Sequence, residues 1–132
     1  MIDLHIHTLA SDGQYPPERI VEMAAASGLY ALAIADHNSV ESVAAAEAAA
    51  TAAGINFAPA IEIDTIFRGR DLHLLGYFIA YDSPACREYL DLIYAGKIDQ
   101  TQKRVARLNE LGFFLDYDEL IRYSEGQIGR AH

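Results

Sequence analysis

The chain has no tryptophan and one cysteine, Cys86, among its 132 residues. A lone thiol excludes both an intrachain disulfide and a cysteine-based zinc knuckle. Long apolar runs are missing as well. The longest are alanine-rich and broken by Glu or Thr, so no segment reads as a membrane span. The opening MIDLHIH carries no basic region and no apolar signal core, and the simplest expectation is a cytoplasmic protein. Cations are also scarce. Ten Lys and Arg stand against nineteen Asp and Glu, for a net charge of −9. That balance argues against general duplex binding, which needs a basic stripe to neutralise phosphates. It leaves room for a small anionic substrate, because two or three bound divalent ions would bring roughly four to six positive charges to one place.

What is present reads as one globular domain, with 52% hydrophobic and 22% charged residues. Met1–His7 reads as a short strand running into a polar turn with Gly13. Pro16-Pro17 opens a helix to about Ser27, stopped by Gly28. Tyr30–Ala35 (YALAIA) is a continuous apolar run of strand length, as expected for a strand buried on both faces. Ser39 is expected to cap a second helix that Gly54 closes. Ile55–Ile63 reads as a third strand. Thr65–Phe67, the RGRD link and Leu72–Ile79 read as a hairpin, Pro84 to about Leu111 as an amphipathic helix, and Tyr117–Tyr123 as a shorter one. The alternation of strand and helix predicts an α/β domain with parallel strands, whose ligands gather at the strands' C-terminal ends.

All five histidines sit in short segments that also carry carboxylates or, at the end, an arginine: DLHIHTLASDG, ADHNS, DLHLLGY and GRAH. Imidazoles mixed with carboxylates suit Zn, Mn or Fe. His5 and His7 are two apart, so on a strand both rings leave one face and can chelate one ion; a solvent-facing pair is the plainer alternative. Asp12 can reach a neighbouring ion or simply make an Asx turn. His37 ends the second strand as a candidate ligand. Asp36 reads as its supporting carboxylate or as a cap on the next helix. Glu62 is one carboxylate in an apolar strand, costly to bury unpaired; a metal, or a salt bridge to Arg68 or Arg70, would answer that cost. His73 taken alone would be a core histidine. Arg130 and His132 are a candidate phosphate clamp and ligand, or an ordinary chain end.

As an ordered set running from residue 1 to residue 132, these motifs closely resemble the PHP (polymerase and histidinol phosphatase) family. The match is best to its small metal-dependent phosphoesterase branch, which acts on nucleotide phosphates and short RNA ends. The resemblance implies the N-terminal part (1–83) of a distorted (β/α)7 barrel, a mostly helical insert over the site (84–126), and a return segment (127–132). It implies up to three divalent ions: His5 and His7 on the first, Asp12 with His37 on the second, Glu62 bridging the first and third, and His73 with His132 completing the third. Arg130 would bind substrate, and Asp36 would support the ligands. No side chain would act as nucleophile, since metal-activated water attacks the phosphomonoester of a nucleotide such as a 3′,5′-bisphosphate.

The family also has a late Asp-x-His motif after the GRAH segment, and nothing in this sequence can play that part. The expectation is therefore a barrel truncated before its last strands, whose open edge invites self-association. Two other readings stay open. An amidohydrolase would share HxH but want a lysine after a middle strand, whereas Lys97 and Lys103 fall in the expected insert. A catalytically silent metal-binding PHP module is the other.

Overall fold

A computed structural model describes residues 1–123 of the chain. The described residues fall into two compact units, Met1–Cys86 and a second that begins at Arg87. The first runs β1 (Ile2–Ile6), α1 (Pro17–Ala26), β2 (Ala31–Ile34), α2 (Val43–Ala53), β3 (Asn56–Phe67) and β4 (Arg70–Tyr77), and contains the start of α3 (Pro84–Glu110). The second holds the rest of α3 and α4 (Tyr117–Tyr123). Among the described residues, no helix is long and apolar enough to cross a membrane.

The sheet of the first unit is ordered β1-β2-β3-β4, with β1, β2 and the start of β3 parallel and β4 antiparallel to the rest of β3. Alternation along the strands separates two unlike faces. Leu32 and Ile34 leave one face and pack with Val21 and Ala24 of α1, Ala46 and Ala50 of α2, and Ile55. Both are fully buried, which stabilises the fold by about 1.5–3 kcal/mol for each side chain. The opposite face is floored by Ala33, Ala35, Ala58 and Ala60, with Tyr77 packed against them. Such small side chains let a larger one pack on that face. Tyr77 lies across it, and its hydroxyl donates to the Leu4 carbonyl at 2.9 Å.

Three expectations change in detail. The helix after β2 begins at Val43 rather than at a Ser39 cap. Beyond β2 the chain stays laced to β3, through a bridge between His37 and Glu62 and the Asn38 N–H bonded to the Glu62 carbonyl, so the helix starts late. It stops at Gly54 as expected, with φ 68° and the Ile55 N–H bonded back to the Ala50 carbonyl. Second, the third strand and the first arm of the hairpin are one continuous β3, which changes partner after Pro59 from β2 to β4. Third, the turn between β3 and β4 is just Arg68-Gly69, both at positive φ, and Arg70 and Asp71 belong to the strand.

β1 carries a bulge that the sequence does not announce. Asp3 pairs with Leu32 but Ile6 pairs with Ile34, so three steps on β1 match two on β2. Without that extra residue His5 would share the helix-packed face of Leu32 and Ile34. With it, Ile6 joins the helix-side core while His5 turns to the alanine-floored face.

Candidate metal centre

The alanine face ends in a cluster of titratable side chains. Glu62 follows Ala58 and Ala60 at the two-residue period of β3 and is held among four imidazoles. Its Oε2 lies 2.8 Å from His5 Nε2, 3.2 Å from His7 Nε2 and 3.6 Å from His37 Nε2. Its Oε1 lies 2.9 Å from His73 Nδ1. The side chain is 4% exposed. Arg68 and Arg70, the alternative partners, sit at the far end of the hairpin, where Arg68 stacks over the Phe67 ring. Glu62 therefore finds its counter-groups among histidines.

The imidazoles are close enough to share ions. His5 Nε2 and His7 Nε2 are 3.0 Å apart, His7 and His37 stack with ring centroids 4.8 Å apart, and His73 meets His37 edge-on at 5.1 Å. Asp12 reaches in from the loop after β1, with Oδ1 3.1 Å from His7 Nδ1 and Oδ2 3.9 Å from His37 Nε2. Three donor sets result: His5-His7-Glu62, His7-Asp12-His37 and His37-Glu62-His73, the ligand atoms of each lying within 4.8 Å of one another. Every set has two imidazoles and one carboxylate, the nitrogen–oxygen mixture that Zn, Mn and Fe accept and that thiolate-seeking ions do not favour. The donor chemistry thus fits the divalent ions expected from the sequence.

Burial pushes the His7 pKa below its ordinary 6.5, overcoming the upward pull of Asp12. Burial by itself would raise the Glu62 carboxyl, but its hydrogen bond with His5 and the charge of His37 outweigh it and hold the group below 4.5. At neutral pH His7 is then a neutral ring and Glu62 an anion, as ligands must be. Both shifts act on stability in one direction. The unfolded chain takes up protons first at each group, so the ion-free fold loses stability as pH falls, below about 6.5 for His7 and below about 4.5 for Glu62.

Asp36 supports the cluster by a different route from the one expected. Its carboxylate is buried and accepts the Thr8 N–H at 2.7 Å, the Thr8 hydroxyl at 2.8 Å and the Ser11 hydroxyl at 2.6 Å. It therefore ties down the loop that presents Asp12, and Ser11 Oγ also touches His7 Nδ1 at 3.3 Å. It caps no helix, since α2 starts after Ser42. The carboxylate beside His37 is Asp64, whose Oδ1 lies 2.8 Å from His37 Nδ1. Asp64, Thr8 and Ser11 were not legible as site residues. For Asp64 a signal existed: IEID places Glu62 and Asp64 two apart, hence on one face of the strand. Lys97 and Lys103 both belong to the helix α3, whereas an amidohydrolase would want a lysine following a middle strand. Arg130 and His132 lie outside the described residues.

A PHP domain profile matches residues 3–130. A 5′-3′ exoribonuclease of Haemophilus influenzae is 32% identical over 130 residues, covering 98% of this chain and 47% of that protein. A 3′,5′-nucleoside bisphosphate phosphatase of Chromobacterium violaceum is 31% identical over 133 residues, covering 99% and 47%. Among solved structures, a protein of Bifidobacterium adolescentis assigned as a metal-dependent phosphoesterase superposes with a TM-score of 0.78 at 26% identity, covering 97% of this chain and 44% of that one. The chain spans about half the length of the curated relatives it matches.

Proposed function

This chain belongs to the PHP domain family, and from that premise we propose that it forms the metal-binding part of a phosphoesterase that hydrolyses phosphomonoesters of nucleotides. One observation carries the reading: a single buried glutamate ringed by four imidazoles, with three two-histidine, one-carboxylate sets around it. His5, His7 and Glu62 would hold one ion, Asp12 and His37 a second, and Glu62 with His73 a third. His132 would join the third and Arg130 would grip a phosphoryl oxygen. Mn, Zn and Fe all suit these donors.

Bound divalent ions would supply Lewis-acid charge for the phosphoryl oxygens and a lowered pKa for water. The chain's own residues do the positioning. The β1 bulge turns His5 toward Glu62. The Asp36 network fixes the loop that carries Asp12. Nucleotide substrates, with a 3′,5′-bisphosphate or a short RNA end as the specific choice, are supported by the activities named for the Chromobacterium and Haemophilus relatives.

The test is Mn-dependent phosphate release from a nucleoside 3′,5′-bisphosphate, with a simple amide and a lactone assayed alongside. In a protein of the relatives' full length, release is expected from the bisphosphate alone, and His7→Ala, which removes a donor from two of the three sets, is expected to abolish it. Turnover surviving in His7→Ala would contradict this site. A chain that binds metal tightly yet hydrolyses no phosphate ester would instead be a silent binding module.

A further inference from the structure

The loop after β2 and the middle of β3 are joined by side chains that meet the donor sets closely at His37 and at a longer distance at His73. Asp64 Oδ1 lies 2.8 Å from His37 Nδ1. The other carboxylate oxygen accepts from Asn38 Nδ2 at 2.5 Å, and the Asp64 N–H donates to Asn38 Oδ1 at 3.2 Å. Asn38 thus grips Asp64 at both its side chain and its backbone. To do so it adopts φ 48°, a left-handed conformation that asparagine tolerates better than most residues.

We propose that Asp64, clamped by Asn38, is the positioning residue for His37: it holds the ring as the Nδ1–H tautomer and so keeps the Nε2 lone pair facing the space beside Asp12 and Glu62 that a cation would occupy. The inference rests on the metal-centre reading above, because Nε2 is the atom that faces Asp12 Oδ2 at 3.9 Å and Glu62 Oε2 at 3.6 Å. The physical logic is general. A carboxylate on one imidazole nitrogen fixes the tautomer, orients the ring and makes the other nitrogen a better donor. Here the ring also belongs to two of the three donor sets, so one misplaced imidazole disturbs two ions. The His37 side chain is 8% exposed, which leaves water little access to replace the lost partner. Asp64 is also 3.8 Å from His73 Nε2; that longer contact contributes direction to the second ring and is not needed for the first.

Two substitutions separate the parts. Asp64→Ala removes the acceptor. Asp64→Asn keeps the shape, but its amide must set a donor against either His37 Nδ1–H or Asn38 Nδ2. Exchanging the pair, Asn38→Asp with Asp64→Asn, restores a consistent donor and acceptor pattern. The experiment reads the His37 ring nitrogens by NMR in the metal-free, ¹⁵N-labelled chain at mildly alkaline pH, then measures Mn and Zn affinity by calorimetry. The wild-type chain is expected to show the Nδ1–H tautomer. Both single variants are expected to lose that preference and to weaken metal binding by about 10- to 100-fold, the usual cost of removing an outer partner from a ligating histidine. The exchanged pair should recover the tautomer and part of the affinity, because an amide oxygen accepts from Nδ1–H without the carboxylate's charge. Wild-type His37 protonated at Nε2, or single variants with unchanged tautomer and affinity, would overturn the proposal. The tautomer is read without metal, so this result stands or falls separately from whether the chain binds ions. If Asp64→Ala does not fold, Asp64→Asn carries the test.

Discussion

Glu62→Ala is expected to abolish tight divalent-ion binding. Two donor sets lose their carboxylate at once, since Glu62 belongs to both His5-His7-Glu62 and His37-Glu62-His73. The remaining donors there are neutral imidazoles, with no anion to offset the charge of an ion. The effect should exceed the roughly 100-fold that disturbing an outer-shell partner can cost. Glu62→Gln is expected to fall little short of it. The amide keeps the volume, but it offers one oxygen where the native carboxylate meets His5, His7 and His37 on one atom and His73 on the other. In the ion-free protein His7 should respond as well. Without the buried anion it loses the Glu62 charge that pulls its pKa upward, so its titration should move to still lower pH. Calorimetric Mn and Zn titrations of both variants check the first effect, and histidine NMR titrations check the second. Wild-type affinity in Glu62→Gln would show that the carboxylate charge is not what the ions require.

Gly13→Ala is the substitution expected to damage the loop most. A Cβ at this position would stand 2.3 Å from the His7 carbonyl oxygen, 2.4 Å from its carbonyl carbon and 2.6 Å from the Thr8 nitrogen. All three are backbone atoms, so no rotamer change relieves the contact. The Gly13 N–H also donates to the Thr8 carbonyl at 2.9 Å, which pins the close approach in place. Overpacking costs about 1–3 kcal/mol where neighbours can shift, and backbone contacts this short place the cost at the upper end. The loop should move as a unit, taking Asp12 from the site and loosening the Thr8–Asp36 bonds. Chemical denaturation and metal titration should both register the change. Unaltered stability with unaltered metal affinity would mean the loop tolerates a second conformation.

How far the sequence foretold this arrangement depended on whether a residue's role was local. His5, His7, His37 and Glu62 could be read as a group because each was expected at or near a strand end, where α/β folds gather ligands, and the strands were marked by their apolar runs; His73, inside a hairpin strand, joined them only through the resemblance of the whole motif set. The stop at Gly54 and the helix at Tyr117–Tyr123 followed from local chemistry too. Other features depend on long-range pairing. The β1 bulge exists only relative to β2, yet it decides where His5 points. The late start of α2 comes from β3 holding the chain near Asn38. Asp36 stands next to His37 in the chain, which made it the natural supporting carboxylate. Consecutive residues leave opposite faces of an extended chain, so Asp36 turned to Thr8 and Ser11, and Asp64 from another strand took the place beside His37.

The account rests on this cluster being a metal centre. The most direct measurement is elemental analysis of the purified chain after equilibration with Mn or Zn and removal of loosely held ions, with stoichiometry per protomer. Two or three tightly held ions, reduced by Glu62→Ala, are the predicted result. A wild-type chain that retains none would contradict the account and leave the histidines around Glu62 as a structural ion-pair network.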